Sequence, residues 1–516
     1  MMSRVSSGRP PASASVGEAP SLVVEGAYWR KARAERVAFL VDSAAYFAAA
    51  LSAIRKARRS ILLLGWSFDP RARLQPGPHE VAGAADEIGN VLKSLAVRRP
   101  ELDVRVLIWK SALPISASQD FFPHRARRWF RGSPVRFRLD ASVPYGACHH
   151  QKVLVIDDLV AFCGGADFAP DRWDTPAHLD EDPRRTVPGG GHPPARHEVM
   201  MMVDGEAARA LGDLARRRWL RSAGNAVAAP PEELDHDPWP NWLPPDLEKA
   251  EVAFARTLPA WRGQQEVNEI ERLHLSCIRE AKTSIYLENQ YFTSPVIGEA
   301  LAARLAEPDG PEIVLVSTEH SPSYFDQMTM DRTRSDLLRR LWAADFHGRF
   351  RAYFPRTHAG HTIIVHSKTT IIDDRLARIG SANLNNRSSG FDTECDAVVE
   401  ARTPADQAAI ARFRARLLGH FAGAAPADVE VMIAERGLAG AADLLARSSA
   451  GRLRPMAPAP MGPLASLIAA YHIGDPLDAS DSWRPLLRRR RLQREAESAA
   501  IGHPASAPGL DPEVDQ

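Results

Sequence analysis

Apolar and polar positions along this chain fall into one pattern used twice. Shifted by 216 positions, HQKVLVIDDLVAFCGGADF (150–168) lies on HSKTTIIDDRLARIGSANL (366–384). Upstream, ARRSILLLGW (57–66) parallels AKTSIYLENQ (281–290); in each, a helix-like stretch runs into an apolar strand. VRVLIW (104–109) and EIVLVS (312–317) are further short apolar runs of strand length. Downstream, EVMMMVDG (198–205) parallels ECDAVVEA (394–401). Each half therefore reads as helix, strand, helix, strand, a motif-bearing strand pair and a closing strand. The expectation is an α/β fold of two pseudo-symmetric α/β/α lobes with mixed β-sheets, packed so that like motifs meet. The stretch AFLVDSAAYFAAALSAI (38–54) reads as a core helix.

Breaks in the pattern divide the chain. Residues 1–24, rich in Ser, Pro, Ala and Gly, are expected to be disordered. A first lobe covers 25–227, with a long Pro- and Gly-rich loop at 170–197; a linker covers 228–248; a second lobe covers 249–435. A partly disordered extension, 436–516, carries the apolar patch LASLIAAYHI and the run Arg488–Arg491, which would suit either a peripheral anchor on anionic lipid or a solvated surface helix.

The two strand pairs carry the candidate chemistry. The first holds His150, Lys152 and Asp157; the second holds His366, Lys368 and Asp373 at the same spacing. In extended chain, residues i and i+2 project together, so each motif sets an imidazole beside an ammonium. Small-residue turns follow: Gly164, Gly165 and Asp167, then Gly380, Ser381 and Asn383, which let backbone and short side chains approach a phosphate. One histidine can attack phosphorus while the other protonates the leaving alcohol and then deprotonates the acceptor. Two lysines can neutralise the phosphoryl oxygens. Each half supplies one histidine and one lysine, so a shared site is chemically complete. Glu198 and Glu394, at matching places, are candidates to orient the imidazoles across the interface. Asp157 and Asp373 end the strands and read as structural, with direct orientation of the histidines as the alternative. A central lysine repels a divalent cation, so no metal and no cofactor are expected in the chemistry.

Bulk properties change this picture little. Net charge is +1 in 516 residues, which gives no global attraction to nucleic acid; a stable nucleic-acid partner is not expected, and HRARRWFRG (124–132) reads as a solvated helix face. The four cysteines, Cys148, Cys163, Cys277 and Cys395, form no CxxC pair and read as buried free thiols. No secretory h-region and no run of eighteen apolar residues occurs, so the expected location is cytoplasmic or peripheral at the inner membrane, as a monomer.

Together these residues resemble the phospholipase D superfamily, named for its paired HKD motifs, over roughly residues 30–430. Gly164, Gly165, Asp167, Arg172, Trp173 and Asp174 resemble the eukaryotic-type GG-x-D-x4-RWD segment; IYLENQYF (285–292) resembles its IYIENQYF stretch; Asn383, Asn385, Arg387 and Ser388 resemble the tail of its second motif. The compact layout is closer to bacterial members. Arg196-His197-Glu198 departs from the family's frequent Trp-His-Asp. The resemblance implies a bilobal fold, a ping-pong mechanism, His150 as nucleophile, His366 as general acid/base, and Lys152, Lys368 and Asn383 binding phosphate. Asp167, Gly164, Gly165, Trp173, Ser381 and Asn385 would take structural or secondary roles. It further implies a phospholipid membrane surface as partner, cleavage of phosphatidylcholine or a similar lipid, and water or a primary alcohol as acceptor. Trp66, Phe68, Trp173, Tyr291 and Phe292 would line the lipid entrance or pack in the core. A cardiolipin synthase-like transferase, a nuclease and a non-enzymatic membrane-binding protein are the alternatives.

Overall fold

The computed structural model describes residues 20–77, 85–111, 123–231, 234–448, 451–460, 462–481 and 484–501. In the first lobe, β1 (Arg30–Val41), β2 (Ser60–Gly65), β3 (Asp103–Trp109), β4 (Arg136–Asp140), β5 (Val153–Ile156), β6 (Val160–Gly164), β7 (Arg196–His197) and β8 (Val199–Asp204) follow in order. The second contains β9 (Leu247–Leu258), β10 (Val267–Asn268), β11 (Ser284–Asn289), β12 (Glu312–Val316), β13 (Phe350–Pro355), β14 (Ile364–Val365), β15 (Lys368–Ile372), β16 (Leu376–Gly380), β17 (Glu394–Glu400) and β18 (Leu453–Pro455).

The two lobes share a single sheet. From one edge it runs β18-β13-β12-β11-β15-β16-β17-β9 and continues through β1-β8-β6-β5-β2-β3-β4, with β10 on β9. The join is β1 against β9, antiparallel from Arg30 opposite Phe254 to Val37 opposite Leu247. Within each half β2, β3 and β4, or β11, β12 and β13, are parallel neighbours, and the motif hairpins are antiparallel. This is a mixed sheet, as the pattern predicts.

Helices cover both faces, which is why the central strands are apolar without alternation. All six residues of β2, SILLLG, are buried. Leu62 and Leu64 point to the core under the helices Gly205–Ala223 and Pro404–His420, while Ile61 and Leu63 point to the core under Ser43–Lys56 and Ile88–Arg98. The first of these cores spans both lobes; Phe39 stacks on Phe413 at 4.2 Å across the join. Glu269–Glu280, Pro295–Ala306 and Arg332–Ala344 cover the second lobe's other face.

Several sequence expectations change. The apolar run at 38–54 is not one helix: it finishes β1, turns at Asp42 and only then becomes the helix Ser43–Lys56. Residues 1–19, where disorder was expected, lie outside the described residues. Within residues 20–24, Leu22 and Val23 are buried in the second lobe's core, and Ser21 Oγ donates to Glu400 at 2.6 Å. The extension also continues the second lobe. Helix Pro426–Arg447 is followed by β18 at the sheet edge, and helix Pro485–Ile501 contributes Leu492 to a cluster with Val296. Residues 502–516 lie outside the described residues. The arginine run is not uniformly solvated: Arg488 is buried and donates to Asp481, and Arg491 pairs with Asp478 and Glu495. No helix of the described residues is long and apolar enough to cross a membrane.

Candidate active site

Strand pairing across the lobes builds the site. The segment before β5 lies parallel to the segment before β17, with His150 N donating to Thr393 O at 3.0 Å. On the other side β14 lies parallel to β7, and His366 N donates to His197 O at 2.9 Å. Each histidine-bearing segment is thus zipped to the glutamate-bearing segment of the opposite lobe. His150 Nδ1 is 2.9 Å from Glu394 Oε2, and His366 Nδ1 is 2.6 Å from Glu198 Oε1. With Nδ1 turned to a carboxylate, Nε2 is the nitrogen left for chemistry on each ring.

The two pairs are not equivalent. Ser381 Oγ donates to Glu394 Oε2 at 2.5 Å and Ser388 Oγ to Oε1 at 2.7 Å, so this carboxylate is fixed at both oxygens. The first lobe has Gly165 where the second has Ser381. A Cβ on Gly165 would sit 2.8 Å from Glu198 Oε2 and 3.1 Å from His366 O, so a side chain there would displace Glu198. Ser388 is itself set by its amide donating to Asn385 Oδ1 at 3.0 Å, and its hydroxyl accepts from Asn383 N at 3.0 Å.

Both lysines are buried and turned inward. Lys152 Nζ donates to His150 O at 2.9 Å and lies 3.5 Å from Asp167 Oδ2; Lys368 Nζ donates to His366 O at 2.6 Å and to Gln290 Oε1 at 3.4 Å. Burial, then Lys152 and Lys368, hold His150 well below the ordinary histidine range. Burial, Lys368 and Arg196 do the same to His366. Burial pushes Glu198 and Glu394 up to about 7, against the nearby lysines. Burial brings Lys368 down to about 7, opposed by Glu198.

His150, Lys152, Asp167, His366, Asn383, Asn385 and Glu394 line one cleft of about 930 Å³. Trp66 and Tyr291 also line it, with Trp109, which stacks on Trp66 at 5.6 Å. Phe68, Trp173 and Phe292 do not: they are buried in the lobe cores, and Trp173 carries Arg184 over its ring. Gly164 packs against β8, where a Cβ would meet Val199 O at 2.7 Å.

Asp157 and Asp373 are the clearest departure from a purely catalytic reading of the motif, and they do not orient the histidines. Each starts a three-residue hairpin loop whose first two residues hold positive φ: Asp157 and Asp158 at 56°, Asp373 at 52° and Asp374 at 54°. Asp157 accepts from Arg58 N, Arg59 N and Ser60 N at 2.6–2.7 Å and lies 2.8 Å from His236 Nε2. Asp373 accepts from Lys282 N, Thr283 N and Ser284 N at 2.7–2.8 Å. They tie each motif hairpin to the start of β2 or β11.

The cleft also holds residues to which sequence reasoning gave no role. Arg172 and Arg196 line it, both within 3.3 Å of Asp171, and burial beside Arg172 lowers Arg196 to about 10. The departure of Arg196 from the family's tryptophan was the available signal. Gln290, from IYLENQYF, contacts Lys368.

Family comparison matches both halves of this arrangement. The profile described as "Phospholipase D" matches residues 53–237, and that described as "Cardiolipin synthase, PLD-like domain" matches 275–416. The chain belongs to the phospholipase D superfamily. Both of the superfamily's catalytic halves, each with its HKD motif, therefore lie in one polypeptide and meet in one cleft. Phospholipase D1 of Schizosaccharomyces pombe is 24% identical over 463 residues, covering 70% of this chain and 33% of that protein. Phospholipase D2 of Bos taurus is 25% identical over 458 residues, covering 68% and 47%. The chain thus spans between a third and a half of the length of these relatives. Phosphatidylserine synthase of Haemophilus influenzae Rd KW20 has a similar fold, with a TM-score of 0.51 and 14% identity over 81% of this chain and 96% of that one.

Proposed function

We propose that this chain is a phospholipase D-type phosphodiesterase that cleaves phosphatidylcholine or a similar phospholipid through a phosphohistidine. The observation carrying this reading is the crossed pairing of His150 with Glu394 and His366 with Glu198 at one cleft, which Lys152 lines and behind which Lys368 lies against His366 O. His150 Nε2 attacks phosphorus, and the bond from phosphorus to the head-group oxygen breaks. His366, whose ring takes up a proton when the phosphate anion fills the cleft and offsets its cationic neighbours, delivers that proton to the oxygen, so the alcohol leaves neutral. His366 then takes a proton from water as the water oxygen attacks phosphorus. The N–P bond breaks, releasing phosphatidate and restoring His150. Glu394, fixed by two serine hydroxyls, makes His150 the better-anchored ring, which supports its role as nucleophile. Lys152 and Lys368 hold the non-bridging oxygens, and Asn383 supports them from the cleft wall.

Mass spectrometry of products from mixed phospholipid vesicles supplied with ethanol tests the reading. Phosphatidate together with phosphatidylethanol is expected, because a covalent phosphatidyl-enzyme partitions between the two acceptors; the lipid consumed names the head group. Cardiolipin formed from phosphatidylglycerol vesicles would make the chain a transferase using a lipid alcohol. Absence of any lipid product, with cleavage of a nucleic acid or a simple aryl diester instead, would discard the phospholipid substrate.

The pH dependence follows from Lys368. Its phosphate-binding, protonated form is present below its pKa of about 7 and lost above it. kcat/KM, which reports the free site, is expected to fall as pH rises through about 7. The alkaline limb of kcat lies higher, because a bound phosphate anion stabilises the ammonium. Identical alkaline limbs for both parameters would remove Lys368 from phosphate binding.

A further inference from the structure

Behind the catalytic cleft lies a second histidine cluster that shares no residue with it. Asp42, at the turn after β1, meets His178 from the loop after Trp173, His197 of β7, and His420 at the end of the helix Pro404–His420. Asp42, His178 and His197 are buried, His420 is half-buried with its side chain almost fully covered, and the four ligand-type atoms lie within 4.8 Å of one another. His178 Nε2 faces His420 Nε2 at 2.7 Å, and Asp42 Oδ2 lies 3.9 Å from the first and 3.5 Å from the second. His197 Nδ1 is 2.9 Å from Asp42 Oδ1.

We infer that these four side chains form a buried transition-metal site, best suited to Zn²⁺, that fixes the backbone behind the catalytic cleft. A tetrahedral zinc site with Zn–N and Zn–O bonds of about 2.0–2.1 Å has ligand–ligand edges of about 3.3 Å. The three edges among Asp42 Oδ2 and the Nε2 atoms of His178 and His420, 2.7, 3.5 and 3.9 Å, bracket that length, and the ligand atom of His197 closes the set within 4.8 Å. Three imidazoles and one carboxylate are the donor set that borderline-soft zinc takes. The outer groups fit as well. His178 Nδ1 is 2.8 Å from Asp174 Oδ2, and His197 Nε2 is 2.9 Å from Glu288 Oε2. With Nδ1 of His178 and Nε2 of His197 donating to these carboxylates, the opposite nitrogens turn their lone pairs to the cluster centre. Asp42 Oδ2 is buried with no hydrogen-bond partner, an arrangement that costs free energy unless a cation faces it. Asp42 and His178 hold positive φ, 66° and 41°, a backbone that side chains other than glycine adopt only when their surroundings compel it.

The site's position gives it a task. Asp42 N donates to Glu198 O at 2.8 Å, Glu198 N to Asp42 Oδ1 at 3.3 Å, and His366 N to His197 O at 2.9 Å. A metal there pins the main chain of one glutamate and one histidine of the active site while touching neither side chain. Its role is to position, and the ion takes no part in the reaction.

The test is metal content of the full-length protein after dialysis against Zn²⁺ and then buffer, with Co²⁺ replacing Zn²⁺ in a parallel sample. About one Zn²⁺ per chain is expected, with the intense visible d–d absorption of tetrahedral Co²⁺ in the parallel sample. His150→Ala and His366→Ala should keep both signals, whereas His178→Ala and His420→Ala should lose them. Should those two variants fail to fold, Asp174→Asn, which leaves all four ligands in place, is expected to weaken Zn²⁺ binding by about 10- to 100-fold. Wild-type protein that retains no Zn²⁺ and shows no Co²⁺ band overturns the inference and leaves a histidine cluster bridged by protons alone. So does a Co²⁺ band that disappears in His150→Ala, which would place the ion in the catalytic cleft.

Discussion

Replacing His150 or His366 with alanine is expected to lower turnover of a phospholipid by about 10⁴-fold or more while leaving the thermal transition nearly unchanged. Both rings sit at the cleft rather than in a core cluster, so their loss removes reactivity and little packing. The two variants should part company on a diester with an aryl leaving group. Such a phenolate leaves without a proton, so an enzyme lacking its general acid recovers much of its rate, while one lacking its nucleophile does not. Recovery in His366→Ala and none in His150→Ala is the expected pattern. The reverse pattern would exchange the two roles and leave the shared site intact. Full activity of either variant on both substrates would end the paired-histidine mechanism altogether.

Asp373→Ala should behave differently, as a loss of stability. The carboxylate takes three main-chain amides and the Thr283 hydroxyl at the start of β11, and alanine leaves those donors without partners. A cost of about 3 to 5 kcal/mol is expected, because several charge-assisted bonds are lost in a buried place. Asp157→Ala should follow it, with the added loss of the contact to His236. Denaturant unfolding gives the cost, and activity per folded molecule gives the mechanism. A large fall in stability with kcat per folded molecule within a few-fold of the parent is the expected outcome. A normal unfolding curve with kcat lost would return both aspartates to the chemistry.

Much of this site was legible in the chain because it is written twice. His, Lys and Asp recur at fixed spacing, and Glu198 and Glu394 sit at matching places in the repeat. What the spacing did not carry was the function of the aspartates: a turn residue with φ near 55° and a catalytic carboxylate look alike as letters. The joining strands were harder. In β1 the apolar residues of its end run straight into those of the following helix, and only Asp42 separates them. Its partner β9 is more than two hundred residues away, so no local signal announces the pairing. The aromatic candidates divided by burial, which a single sequence does not reveal: Trp66 and Tyr291 reached the cleft, and Phe68, Trp173 and Phe292 went to the cores. The histidine cluster was invisible for the same reason, since residues 42, 178, 197 and 420 meet only once both lobes are built.

The hydrogen-bonded join of β1 to β9 also bears on how substrate comes and goes. A bilobal protein with a site at its midline ordinarily invites a hinge, one half swinging from the other to admit its ligand. Here such a swing would tear a ladder of main-chain bonds and separate both imidazoles from their carboxylates in the same movement. Traffic must therefore pass over the rim, where Pro322, Ser323 and the exposed Phe325 border the cleft, while the two halves stay still relative to each other.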